Sequence, residues 1–241
     1  MGKLKNLGSK LLAGPYVIWM LLFTVIPLGL IIYNGFTNSD GRFTFKYVAA
    51  IADPVNAKPL LLSFEMSLIV TVVCLLLAFP LAVILSKYST DKNSFIVMIF
   101  ILPMWMNFML RTLAWRLILL NNGFLNQFLT MLGLSKVYLM NTKAAIIFGT
   151  AYDYFPFMVL PIYNAVVKID KDVINAAKDL GATNSVVLRK IILPLSVPGI
   201  VSGITMVLVP SMSEFVIADM LGGGKIYLIG NAIEQAFNSG Y

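Results

Sequence analysis

The sequence predicts an all-α integral membrane protein, a bundle of apolar helices within one transmembrane domain, residues 1–241. Three observations predict it. The chain is 59% hydrophobic and 12% charged, where a soluble domain carries about 25% charged residues; its mean hydropathy is +0.86. The apolar residues gather into runs long enough to cross the hydrocarbon core as helices rising about 1.5 Å per residue. Prolines lie inside those runs, at Pro15, Pro27, Pro80, Pro103, Pro156, Pro161 and Pro210. A proline removes a backbone donor and bends its helix, which a bilayer tolerates where neighbouring helices or water take up the freed carbonyl. By themselves these prolines fit either ordinary packing variety or a bundle that must bend to line a pathway.

Five segments qualify as spans: 11–33, 60–85, 95–120, 144–167 and 197–218. The first follows Lys3, Lys5 and Lys10. It is too long for the apolar core of a secretory signal and no small-residue cleavage site follows it, so it reads as an uncleaved signal anchor. With the N-terminus inside, the inner loops hold ten basic residues: Lys3, Lys5, Lys10, Lys87, Lys92, Lys168, Lys171, Lys178, Arg189 and Lys190. The outer segments hold six, Arg42, Lys46, Lys58, Lys136, Lys143 and Lys225, while Arg111 and Arg116 fall within a span. This bias favours a cytoplasmic N-terminus and a cytoplasmic loop 168–190. The polar tail 222–241 then lies outside and reads as a re-entrant or surface loop, with a sixth span expected beyond the end of the chain.

Composition also excludes chemistry. There is no histidine and one cysteine, Cys74, so zinc, haem and Ser-His-Asp sites lose their usual residues and no internal disulfide can form. The net charge of +7 is not gathered into a basic cluster interleaved with aromatics; it collects at span ends, where topology accounts for it. The run Gly222-Gly223-Gly224-Lys225 superficially resembles a phosphate loop, but Asp219 stands where the first glycine belongs and Ile226 where Ser or Thr belongs.

The loop 168–190 has its own order. Asp170 or Asp172 can cap a helix of about two turns ending near Leu180. Gly181 follows, the residue expected where a helix closes in a left-handed conformation. A second helix starts at Thr183 or Asn184, and Pro194 stands where the next element begins. Ala176 and Ala177 leave a small apolar patch among Lys178, Asp179, Arg189 and Lys190. Such a patch suits either a docking knob for a cytoplasmic partner or an amphipathic linker on lipid headgroups.

The spacing Asn175-Ala176-Ala177-x3-Gly181-x9-Ile191-x-Leu193-Pro194 resembles the EAA loop of ABC-importer permeases, E-A-A-x3-G-x9-I-x-L-P. The departure is Asn175, which stands where the family has glutamate; Asp172 or Asp179 is available to replace that carboxylate. The likeness covers nearly the whole chain. Pro103-x-Trp105-x-Asn107-x3-Arg111 and Gly123-x-Leu125-Asn126-x2-Leu129-x3-Gly133 resemble the third span and outer loop of polyamine permeases. Phe155-Pro156-Phe157-Met158-Val159-Leu160-Pro161-Ile162-Tyr163 resembles their fourth span. Pro210-x3-Glu214-Phe215-Val216-Ile217, Asp219-x2-Gly222-Gly223 and Ile229-Gly230-Asn231 resemble the fifth and the loop after it. Together they resemble the spermidine/putrescine permeases of the PotB type.

That resemblance implies a MetI-like type I ABC-importer bundle in a bacterial cytoplasmic membrane. Its implied partners are a second, PotC-like permease, two PotA-like ATPases that bind ATP and Mg, and a PotD-like extracytoplasmic binding protein. This chain would hold no cofactor and catalyse nothing. Asn175, Ala176, Ala177, Asp179, Gly181, Ile191, Leu193 and Pro194 would couple it to the ATPase.

A polyamine is a flexible polycation with apolar spacers, so its pathway calls for carboxylates and aromatic faces. Asp153 and Tyr154 in the fourth span, Glu214 and Asp219 in the fifth, and Trp105 are the candidates, with Glu65 near an outer span end and Trp115 as a further aromatic face. Charges within a bilayer face a cavity or a partner, and the alternative for these carboxylates is pairing with Arg111 or Arg116. Trp19, Phe95, Phe100 and Phe148 read as packing or lipid-facing residues. Three competing functions are the same machine carrying another small solute, an integral-membrane enzyme, which the missing histidines disfavour, and a non-transporting receptor or scaffold.

Overall fold

The computed structural model describes residues 14–38, 40–87 and 102–239, and of Pro103 only the backbone. Residues 1–13 with Lys3, Lys5 and Lys10, and 88–101 with Lys92, Phe95 and Phe100, lie outside the described residues. Among the described residues the regular elements are helical, with one antiparallel bridge between Thr37 and Phe43. Contacts divide the chain into two compact units, Met1–Ala57 and Lys58–Tyr241.

In the first unit, α1 runs over Gly14–Gly35 and widens into a π-turn at Leu21–Val25, where the Ile26 N–H reaches back to the Leu21 carbonyl. Pro27 follows directly. Its ring would press on the carbonyl one turn earlier, and the wider turn relieves that clash without breaking the helix. Beyond α1 the rings of Phe36, Phe43 and Phe45 pack on one another at 5.0–5.9 Å. A short helix α2, Lys46–Ala49, and a 3-10 turn, Ala50–Ala52, complete the unit.

Helix α3, Pro54–Lys87, leads into the second unit. After a 3-10 turn at Leu102–Trp105 come α4 (Phe108–Leu119), α5 (Phe124–Met131), α6 (Lys143–Val167), α7 (Lys171–Asp179), α8 (Asn184–Met212), α9 (Val216–Gly222) and α10 (Ile229–Asn238). Among the described residues four helices, α1, α3, α6 and α8, are long and apolar enough to cross a membrane.

The core is made where α3, α6 and α8 meet. On α3, Ser63, Met66, Ser67, Val70, Cys74, Ala78 and Ala82 are buried at spacings of three and four, which puts them on one helix face. Most are small, and small residues let helix backbones approach closely in a membrane; the Cys74 thiol lies 3.5 Å from the Ala151 carbonyl of α6. Helix α8 does the same with Ser196, Gly199, Gly203, Val207 and Ser211. A Cβ on Gly199 would meet the Pro161 carbonyl oxygen at 2.6 Å, and one on Gly203 would meet the Met158 sulfur at 2.7 Å. The GxxxG spacing therefore sets how closely α6 and α8 can pack. A second buried cluster joins Met66 of α3, Leu119 of α4, Ala145 and Ile146 of α6, and Ile217, Ala218 and Leu221 of α9.

Three features differ from the sequence expectation. In the described part of segment 95–120, the 3-10 turn and α4 are separated at Asn107, whose side chain accepts from the Met109 and Leu110 N–H groups at 2.9 and 3.4 Å. Segment 197–218 is not one helix: α8 ends at Met212 and α9 restarts at Val216. Glu214 begins that second helix by accepting from the Val216 and Ile217 N–H groups at 3.0 and 3.2 Å. Apolar residues flank both breaks, so a span-length hydropathy average does not register them. The tail 222–241, expected as a loop, contains the ten-residue helix α10.

The close approach at Gly203 is testable in detergent-solubilised protein. Gly203→Val overpacks the α6–α8 contact and is expected to cost about 1–3 kcal/mol, lowering the midpoint of thermal unfolding. Val201→Leu, on the exposed side of the same helix, is expected to leave the midpoint unchanged; equal shifts would refute a packing role for Gly203.

Candidate functional site

The predicted pathway residues do not form one cluster. Asp153 of α6 pairs with Arg111 of α4, Oδ1 to Nε at 2.5 Å, with side chains only 8% and 9% exposed. The Arg111 guanidinium also lies 5.7 Å from the Tyr152 ring centre. That ring meets Trp115 edge-on at 5.1 Å, and Trp115 meets Phe148 at 4.7 Å. Cation–π and edge-to-face contacts thus join α4 to α6 alongside the ion pair.

Tyr154 and Glu214 do come together: the Tyr154 hydroxyl donates to Glu214 Oε2 at 3.1 Å. Both side chains are half-buried, and Phe157 lies 6.1 Å from the Tyr154 ring. Glu214 is held by this hydroxyl and the two N–H groups that open α9, and among the described residues no Lys or Arg forms an ion pair with it. Among the described residues Arg111 thus pairs with Asp153 and no cation pairs with Glu214.

Asp219 is placed differently. It is exposed on α9 and accepts from Asn231 Nδ2 of α10 at 2.7 Å. Asn231 is buried and also accepts from the Leu228 N–H, while the adjacent Ile229 N–H donates to Ser63 Oγ of α3. Asn231 thus anchors α10, a role its motif position did not reveal. Trp105 is 76% exposed on the 3-10 turn, and Glu65 pairs loosely with Lys143 at 3.5 Å. A groove of about 860 Å³ lies elsewhere, between α6 and α8, with Phe157, Pro161, Pro198 and Met206 among its walls and neither Tyr154 nor Glu214 in them. Its apolar walls offer a cation no carboxylate except Asp170.

The predicted coupling residues occupy a helix-turn-helix. Asp170 caps α7, its carboxylate accepting from the Asp172 N–H at 2.9 Å. Gly181 has φ +84°, the left-handed conformation that favours glycine. Asn175, Ala176 and Asp179 are exposed, and Leu180 stands 90% exposed beside the turn. Ala177 and Ile174 turn inward onto the core of α3, α6 and α8. Asn175 is thus exposed on α7, as are Asp172 and Asp179. Ile191, Leu193 and Pro194 lie farther on, inside α8. There the Leu188–Ile192 stretch is a π-turn with the Leu193 N–H bonded to the Leu188 carbonyl. Pro194 follows it as Pro27 follows the π-turn of α1, so the proline widens α8 instead of ending it.

The Arg111–Asp153 pair yields a stability test. Arg111→Leu leaves a buried carboxylate unpaired and is expected to destabilise the protein by about 3–5 kcal/mol. Arg111→Leu with Asp153→Leu is expected to recover most of that loss. Equal unfolding midpoints for the single and double variants would show that the two side chains do not depend on each other.

A model of the family described as binding-protein-dependent transport system inner membrane component matches residues 26–240. The chain is similar to the spermidine/putrescine transport system permease protein PotB of Salmonella typhimurium (strain SL1344), 37% identical over 227 residues covering 91% of this chain and 79% of that one. PotB of Escherichia coli (strain K12) is 36% identical over 227 residues, covering 91% and 82%. PotB of Haemophilus influenzae (strain ATCC 51907 / DSM 11121 / KW20 / Rd) is 34% identical over 242 residues, covering 97% and 85%. In structure the chain is similar to a bacterial alginate ABC transporter solved with an alginate-bound periplasmic protein. The TM-score is 0.71 at 19% identity, covering 98% of this chain and 84% of that one, which supports the fold alone. The chain belongs to the family of binding-protein-dependent transport system inner membrane components, among its PotB-type permeases.

Proposed function

We propose that this chain is the transmembrane permease subunit of an ATP-driven polyamine importer, carrying spermidine or putrescine. The observation that carries the reading is Glu214, a half-buried carboxylate at a helix break with no cationic partner among the described residues. A charge within a membrane bundle is costly unless a cavity or counter-charge meets it, and a substrate ammonium group supplies that counter-charge. Tyr154 and Phe157 add aromatic faces suited to a polycation's methylenes and charge. The names of the similar permeases support the same substrate class.

The partners are a second, PotC-like permease, two PotA-like ATPases, to which ATP and magnesium belong, and a PotD-like binding protein. The N-terminus and α7 lie on the cytoplasmic side, as the distribution of Lys and Arg favours. Coupling runs through α8. It is one helix of 29 residues, about 43 Å long; its first turn follows Gly181 and its last residue is two before Glu214. A partner that grips the exposed side of α7, Asn175, Ala176, Asp179 and Leu180, moves a rod whose far end abuts the carboxylate. Alternating access then amounts to tilting α8 against α6.

Two measurements on the reconstituted importer test this. Glu214→Gln is expected to lower spermidine uptake at least about tenfold, the effect of losing a charge-assisted contact worth about 1.5–3 kcal/mol, while Glu214→Asp retains part of it. Undiminished uptake by Glu214→Gln removes the carboxylate from the pathway. Gly181→Val forces a β-branched residue into left-handed backbone, where even an unbranched side chain costs about 1–2 kcal/mol. It is expected to abolish ATP-driven uptake with the permease still inserted, and normal uptake would remove the turn from coupling.

A further inference from the structure

We propose that α5, with the segment after it, is an interfacial anchor: a helix lying in the plane of the bilayer surface at the α4/α6 end of the bundle. Its eight residues span about 12 Å, far short of the roughly 30 Å hydrocarbon core. It cannot cross, and its surroundings divide its circumference into three sectors.

The first sector faces protein. Leu125 packs against the cluster built by α3, α4, α6 and α9. Asn126 is fully buried, with Nδ2 donating to the Leu120 and Val137 carbonyls at 3.3 and 2.9 Å and Oδ1 accepting from the Val137 N–H at 2.8 Å. This one amide ties α5 to the chain leaving α4 and to the chain approaching α6. The helix is therefore fixed at the level where those elements end. The second sector is polar and exposed: Gln127 and Thr130, beside an amide-lined hollow of about 490 Å³ that Asn121, Asn122 and Lys136 share.

The third sector is apolar and exposed. Phe124, Phe128, Met131 and Leu132 lie within about a third of a turn of one another at 100° per residue, with Phe124 70% and Met131 86% exposed. The rings of Phe124 and Phe128 stack at 6.4 Å. Leu134 and Tyr138 continue the exposed apolar surface. A helix with one side on protein, one on water and one on hydrocarbon is what the headgroup boundary selects, and aromatic residues favour that depth.

Charge points to a lipid surface rather than a soluble partner. From Phe108 to Tyr152 the chain has no Asp or Glu, while Arg116, Lys136 and Lys143 flank α5. Glu65 of α3 meets Lys143, which leaves Arg116 and Lys136 as the basic flanks that complement anionic headgroups. The inference rests on the chain being a membrane protein and not on its substrate.

Spin labels attached to Phe128→Cys, Met131→Cys and Gln127→Cys test it in the full-length permease reconstituted into bilayers containing anionic lipid. Cys74 is buried and stays in place, with the unsubstituted protein as the labelling control. Collisions with dissolved oxygen and with a water-soluble nickel chelate are compared. At positions 128 and 131 oxygen is expected to be favoured over the chelate several-fold, with the reverse at 127. Chelate access at 128 and 131 equal to that at 127 would overturn the anchor and mark the face as a water-exposed docking surface. The two apolar positions report independently, so one misfolded variant does not remove the test.

Discussion

Inside a bilayer a polar group without a partner has no water to turn to, and much of this molecule is arranged around that constraint. Several places where a helix is interrupted or bent have a specific remedy. Asn107 accepts the first N–H groups of α4, and Glu214 those of α9. Widened turns precede Pro27 and Pro194. The buried ions Arg111 and Asp153 pair with each other. Buried amides, Asn126 and Asn231, hold the connecting segments beside the bundle.

The same constraint gives Glu214 its meaning. Arg111 pairs with Asp153, whereas among the described residues Glu214 is held by dipoles, two N–H groups and the Tyr154 hydroxyl. Dipoles orient a carboxylate without cancelling its charge. Glu214 lies two residues past the end of α8, and the Gly199/Gly203 contact packs that helix tightly on α6.

Much of this was legible in the sequence. Long apolar runs showed α1, α3 and α6, because composition over some twenty residues decides whether a helix enters hydrocarbon. Asp170 and Gly181 were readable as cap and turn because capping and left-handed backbone depend on local residue type. The spacing from Asn175 to Pro194 identified the family. The breaks at Asn107 and at Ser213–Phe215 were not legible, since one or two polar residues barely lower a hydropathy average taken over the length of a span. The Gly199-x3-Gly203 spacing was available as a helix-packing signal, but spacing does not say which neighbour fills it.

Pairing is where tertiary structure had to decide. Asp153 and Glu214 look alike in sequence, as acids in apolar surroundings, yet one faces Arg111 and the other a tyrosine hydroxyl. That difference arises from how α4, α6 and α8 are packed, by residues dozens of positions apart. The sequence by itself determined that the chain enters a membrane, where the turn at Gly181 closes and which family it joins, since these follow from local composition and spacing. Only the tertiary structure decided that Asp153 faces Arg111 and Glu214 a tyrosine hydroxyl, because pairing is a property of distance in space.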